Sequence, residues 1–400
     1  MKPTCTPRTN PLWGDDWSAL RELWRLDPEI AYLNHGSFGA TPHPILNEQS
    51  RLRLELESDP VHFFVRIYPD LLKRARETVG AFINADPDGL AFIPNATAGV
   101  NHILKCLSLG PEDDMVISDH GYGAVIKTLR RIAELHGPRL IIAPVPLSVR
   151  TADEIADTLL SALTPRTRLL VVDHIASATA VIFPIDRIVA ECRKRGVLVL
   201  VDSAHGPGML PVDVNRLAPD FWTGNFHKWC CAPKGSAALW VAPQHRVRIR
   251  PLITSHGYDK GFRDEFDWTG TADPTAFLAT PFALAFLENL GWQRIRTHNH
   301  TLALQGREVV CRALGTEPPI ADPDRLHGSM TLVALPEGVV SNETEGDRLH
   351  DLLWDEYRVQ VPVMAWNGRG YVRLSAHVHN CPADYDRLAV ALPDALARKW

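Results

Sequence analysis

Lysine is scarce in this sequence, and its cysteines form no ordered set. Of 42 basic residues, 33 are Arg and only 9 are Lys. A GC-rich genome would explain that bias, and it makes each lysine worth inspecting. The seven cysteines (Cys5, Cys106, Cys192, Cys230, Cys231, Cys311 and Cys381) are odd in number and show no C-x-x-C spacing. That argues against a disulfide framework or a Cys-rich zinc site and for a reducing compartment. No apolar run approaches about 18 residues, and the N-terminus lacks the apolar core of a signal peptide. The expectation is a cytoplasmic protein with no membrane association. Charge of one sign is also lacking: 42 basic against 47 acidic residues leave -5, which argues against nucleic acid or an anionic membrane as partner. There is no G-x-G-x-x-G and no P-loop, so a nucleotide-dependent dehydrogenase is disfavoured. Tandem repeats and low-complexity linkers are absent too.

What is present is ample core material. The 400 residues are 45% hydrophobic and 22% charged, enough for two or three folded units. Helical periodicity marks residues 17–26, 46–56, 71–83, 98–107, 124–135, 152–163 and 185–195. Between the later ones lie apolar runs at 140–145, 169–172, 197–201 and Ala237–Val241. These runs are short, rich in Val, Ile and Leu, and do not alternate, as expected of strands buried on both faces. Helices between such strands imply crossovers and a mostly parallel sheet, an α/β fold. After about residue 275 the texture changes to long helical patterns (275–290, 292–313) and then mixed elements. The expected division is an N-terminal arm (1–30) packing on the small domain, a large domain (31–275) and a small α+β domain (276–400).

Four segments could carry chemistry. An apolar strand ends in Asp202, followed by Ser-Ala-His205; ligands of open α/β sheets bind at the carboxyl ends of strands. Thr223-Gly-Asn225-Phe-His227-Lys228-Trp229 places one of the rare lysines between aromatic groups, where burial would lower its pKa. Phe92-Ile-Pro-Asn95-Ala96-Thr97 leads into a helix whose N-terminus favours an anion. Asp119-His120-Gly-Tyr122 offers a ring at the same sheet edge. Each has a plain alternative: a turn cap, a surface lysine, ordinary capping, a core aromatic. Together they supply an amine, an acid, a donor, a stacking ring and a phosphate seat, the set that pyridoxal 5'-phosphate requires.

Asp202-Ser-Ala-His205 followed by Asn225-Phe-His227-Lys228-Trp229 resembles the class V aminotransferase group of fold-type I enzymes. That group has a mostly parallel sheet flanked by helices and a smaller C-terminal α+β domain. Tyr32-Leu-Asn34-His35-Gly36-Ser37-Phe38-Gly39 and Phe64-Val-Arg66 resemble its isopenicillin N epimerases and the carbon–sulfur lyases of the ergothioneine pathway. The resemblance covers about residues 28–245 and resumes near 370. It implies Lys228 as the Schiff-base lysine, Asp202 on the pyridinium nitrogen and His205 on the phenolic oxygen. It also implies Ala96 and Thr97 on the phosphate beside Asn95, with His227 and Asn225 helping. His120 and Tyr122 are both candidates for the stacking ring. Asp173 and Ser177 would add contacts, although Ser177-Ala-Thr-Ala stands where many relatives carry Ser-Pro-Thr-Gly. Arg373 would bind the substrate carboxylate, with Asn34, His35 and Ser37 nearby. Thr269-Gly-Thr271 would reach the phosphate of a second subunit, implying a homodimer with shared sites.

The expected reaction is β-elimination from an S-substituted cysteine, as in secondary metabolism, because one lysine suffices to take the α-proton. Isopenicillin N-type epimerisation is the alternative and needs a second proton donor. Decarboxylation coupled to oxidative deamination is the third. A desulfurase is disfavoured because residues 312–372 contain no Cys. Two rival classes remain: a metal hydrolase using His298-Asn-His300 and His377-Val-His379, which lack a framework of acids, and a non-catalytic cofactor-binding sensor, for which no DNA-binding module is visible. No metal is expected.

Overall fold

The computed structural model describes residues 17–149, 151–320 and 323–398. Among the described residues, twelve strands fall into three sheets. They are β1 (Ala31–Tyr32), β2 (Leu90–Ile93), β3 (Asp114–Ser118), β4 (Arg139–Ala143), β5 (Thr167–Asp173), β6 (Leu198–Ser203), β7 (Phe221–Asn225), β8 (Ala237–Val241), β9 (Met330–Ala334), β10 (Val359–Gln360), β11 (Val363–Trp366) and β12 (Arg369–Ser375). The main sheet has seven strands in the order β2-β8-β7-β6-β5-β3-β4. Its pairs from β7 through β4 are parallel, and β8 runs antiparallel to both neighbours. This is the expected α/β architecture. The central strands bury every residue on both faces or nearly so, which is why their sequences do not alternate.

Three strands of the main sheet escaped the sequence reading, as did the short β1 and β11 outside it. β2 has only four residues, β3 carries an Asp and a Ser, and β7 contains Thr-Gly-Asn, so none shows a clean apolar run. The helical pattern at 275–290 is two helices, Thr275–Leu278 and Thr280–Leu290. Pro281 cannot accept a place inside one continuous helix, but fits the first turn of the second.

β11, β12 and β9 form an antiparallel sheet in that order, and β1 pairs in parallel with β10. The chain near residue 31 is thereby tied to the C-terminal third. Of the expected arm, residues 1–16 lie outside the described residues; Trp17 Nε1 donates to Val378 O (2.8 Å), and Arg21 lies 3.7 Å from the Asp384 carboxylate.

What matters for chemistry is where strands end. β5 and β6 pair with Asp173 opposite Asp202, and β6 pairs with β7, which ends at Asn225. Three adjacent parallel strands therefore deliver two carboxyls and an amide to one edge of the sheet.

Candidate active site

At that edge lies a cavity of about 360 Å³. Its floor holds Asp173, Asp202 and Asn225 from the strand ends. One wall is the N-terminus of the helix Ala96–Cys106. Asn95 caps it by accepting from Ala98 N (2.9 Å), and Asn225 Oδ1 accepts from Ala96 N (2.9 Å). Thr97, between them, offers an amide and a hydroxyl with no partner among the described residues. With the helix dipole behind them, they suit a phosphate.

Lys228 lies in the turn after β7, and its Nζ is 3.1 Å from His205 Nε2. The other nitrogen of His205, Nδ1, receives the indole N–H of Trp229 at 3.2 Å. An indole nitrogen only donates, so Nδ1 is the acceptor and Nε2 carries the hydrogen. His205 is therefore a donor toward Lys228, and the amine receives it with its lone pair. The electrostatics agree. Burial, reinforced by the Arg373 charge, pushes Lys228 down to about 7. Burial, and then Lys228, holds His205 well below its ordinary value.

The two floor carboxyls compete for charge. Burial raises both; Asp202 is counteracted by a hydrogen bond from Ala204 N (3.0 Å) and by Lys228, whereas Asp173 is raised further by Asp202 itself. With Lys228 and the Ala204 amide beside it, Asp202 is the more readily ionised of the pair.

Arg373, from β12, sits just behind the wall. Its fork donates to Ser177 O, to Ser177 Oγ (3.2 Å) and to Ser37 Oγ (3.1 Å). Ser37 Oγ in turn donates to Asn34 Oδ1 (2.5 Å). The guanidinium is buried, its Nε has no partner, and no carboxylate pairs with it among the described residues. Burial lowers its pKa to about 10, so it stays charged at neutral pH. A buried, unpaired guanidinium is costly and fits a site completed by an anionic ligand.

The expected residues separate clearly. Ser37, Tyr122, Ser177 and His227 line the cavity, as do the floor, helix and lysine groups above. Tyr122 is half exposed and available for stacking, while His120 is buried with both ring nitrogens occupied, Nδ1 by Thr179 Oγ1 (2.6 Å) and Nε2 by Val145 O (2.7 Å). Asn34 and His35 lie behind the wall. Thr271 is exposed outside this cavity. Sequence reasoning missed Lys234 and Phe38, which line the cavity mouth. The scarcity of lysine was the signal that could have found Lys234. His377 gathers with His35 and Cys231, the potential ligand atoms of the three lying within 4.8 Å. Yet the rings of His35 and His377 are stacked face to face, 4.2 Å apart at 14°, so their in-plane lone pairs do not converge as a shared ion would require.

The residues present fit pyridoxal phosphate by the chemistry of the donor set. A neutralisable lysine, a carboxyl at the sheet edge, a His donor and a helix N-terminus all face one cavity.

Comparison with known proteins follows the same line. The Aminotransferase class-V family matches residues 56–333. An isopenicillin N epimerase of Amycolatopsis lactamdurans is 33% identical over 94% of this chain and 98% of its own. A hercynylcysteine sulfoxide lyase of Schizosaccharomyces pombe is 25% identical over 94% and 96%. The crystal structure of an Escherichia coli cysteine desulfurase shares the fold, with a TM-score of 0.78 at 20% identity over 95% of this chain and 98% of that one. The chain belongs to the class-V aminotransferase family.

Proposed function

We propose that the protein is a pyridoxal phosphate-dependent lyase that cleaves the carbon–sulfur bond of an S-substituted cysteine by β-elimination. The observation that carries this reading is a lysine poised near neutrality in one small cavity, with a buried Arg373, which no carboxylate pairs among the described residues, just behind the cavity wall. The kinship to a hercynylcysteine sulfoxide lyase supports it.

Bound in this cavity, the cofactor would supply an electron sink for charge developing at the substrate α-carbon. The protein does the rest. Thr97 would hold the phosphate with its free amide and hydroxyl, with Ala96 and His227 beside it. Asp202 would face the ring nitrogen and keep it charged, and Tyr122 would cover a ring face. His205 Nε2 would present its hydrogen to the phenolic oxygen. Arg373, steadied by Ser37 and Ser177, grips the substrate carboxylate through its planar fork and so turns the α-hydrogen toward Lys228. Lys228 Nζ, whose pKa burial and the Arg373 charge bring down to about 7, takes that proton. The sulfur then leaves the β-carbon with the bonding pair as a thiolate, which the proton now on Lys228 Nζ converts to the departing thiol.

Epimerisation is the second reading, favoured by the 33% identical relative. It needs a second acid–base group, and Lys234 is a second amine on the cavity wall, also lowered by burial. Pyruvate and ammonia release from S-alkyl cysteines decides between them. Release in step with thiol supports the lyase; α-proton exchange in heavy water without pyruvate supports the epimerase. We further place the enzyme in the cytoplasm as a homodimer in which Thr271 of a second copy reaches the phosphate. In that assembly residues 31–275 anchor the cofactor, and residues 276–400 bring Arg373. Among the described residues no helix is long and apolar enough to cross a membrane.

A further inference from the structure

Beyond Arg373 the chain of β12 runs on to two buried histidines, His377 and His379, and these lead back to the Lys228 turn. His379 Nε2 lies 3.0 Å from His35 Nδ1, and His35 Nε2 lies 3.0 Å from the Lys228 carbonyl oxygen. A carbonyl only accepts, so His35 Nε2 carries the hydrogen and donates it; Nδ1 must then accept from His379 Nε2. Burial and the neighbouring imidazoles keep both rings neutral. The result is a chain with one direction, from His379 to His35 to the main chain of Lys228. His35 is also wedged by its stack on His377 and its tilted contact with Trp229 (5.1 Å).

The same segment holds the other end of the site. Ser37 accepts from Arg373 at 3.1 Å. Gly39, at φ +69°, packs so closely that a Cβ there would stand 2.9 Å from Lys228 Cα. Residues 34–39 therefore touch both the carboxylate-binding guanidinium and the backbone that carries the amine. His35 does not line the cavity, so direct substrate contact does not account for it.

We propose that His35, oriented by His379, is a positioning residue that fixes the Lys228 main chain and hence the separation of its amine from Arg373. The inference rests on Lys228 being the reactive amine of the proposed lyase.

Two variants of the full-length holoenzyme test it. His35→Phe keeps a ring but removes the donor. His35→Gln keeps an amide N–H for the carbonyl and an oxygen for His379. In His35→Phe, kcat is expected to fall by about tenfold to a hundredfold, as for a misplacement of order 1 Å, while KM stays within about twofold. In the cofactor-free protein, the pH dependence of Lys228 labelling by an amine-reactive reagent, read by mass spectrometry, should shift upward by about one unit or more as the amine relaxes toward water. His35→Gln should recover both. A wild-type kcat and labelling profile in His35→Phe overturns the proposal whatever happens to Tm. So does equal damage in both variants accompanied by a rise in KM. Should His35→Phe fail to fold, His379→Leu removes only the donor to Nδ1 and should show the same split at smaller size; its absence overturns the proposal. A wild-type enzyme that turns over no S-alkyl cysteine overturns the lyase reading instead, and the labelling profile then decides on His35 alone.

Discussion

Lys228 sits where its charge is costly, and that cost is measurable. Its pKa falls from 10.5 to about 7 on folding. Between those values the unfolded chain binds more protons, so stability rises with pH through that window and the penalty is fully present below about 7. Lys228→Met should therefore stabilise the cofactor-free protein at pH 6 by about 5 kcal/mol, with the difference fading toward pH 10. Paired denaturant titrations at the two pH values check this; equal differences at both would contradict it. Arg373 works the other way, as a buried cation awaiting a partner. Arg373→Lys keeps the charge but loses the fork, and KM for the amino-acid substrate should rise about tenfold or more, with cofactor absorbance unchanged. At this scale the sequence was informative where a residue was rare or held a motif position, as for Lys228, Asp202 and Arg373. It was silent where a role depends on a partner brought from afar. Trp229 sets the tautomer of His205 and His379 orients His35, and nothing in local spacing announces either.

Among the elements, the loops after strands carry more meaning than the strands. The 34–39 segment is locked against the Lys228 turn by Gly39, whose positive φ and lack of a Cβ are both required there. Gly39→Ala should lose most soluble, cofactor-binding protein, as seen by absorbance and size exclusion; a variant with normal cofactor occupancy would contradict this packing. The turn itself bends through Cys231, a non-glycine residue at φ +53°. This departure from ordinary backbone is held by the Cys231 N to Lys228 O hydrogen bond (3.0 Å). Buried or half-buried histidines lie on these connections and within the helices beside them. His102, His174, His227 and His298 are pushed down to about 4 and His377 to about 3, in each case chiefly by burial. A depressed imidazole contributes stability that is intact above pH 6.5 and is lost as pH falls from there toward 4. Tm should therefore drop steeply between pH 6.5 and about 4; a flat Tm over that range would contradict the burial of neutral imidazoles.

Across the whole molecule, the fold class was legible because doubly buried strands such as β6 and β8 write themselves as unbroken Val, Ile, Leu and Ala runs. The main-sheet strands that escaped, β2, β3 and β7, are ones that lead into the site. β7 gives up apolar character to Thr223, Gly224 and Asn225, so it reads as loop. The same exchange blurred β3. The geometry that joins the halves was not legible at all. Arg373 and Ser37 are 336 positions apart yet hydrogen-bonded, and β1 pairs with β10 across a similar span. Such contacts depend on topology rather than on any local pattern. In the proposed lyase, one cavity would draw its anion seat, its base and its carboxylate clamp from distant stretches of chain. That arrangement also rests on one covalent event. Purified protein loaded with pyridoxal phosphate should be reduced with borohydride, digested and mapped by mass spectrometry. A single phosphopyridoxyl adduct on Lys228 is the expected result. A colourless protein with no adduct, or an adduct on any other of the nine lysines, would contradict it.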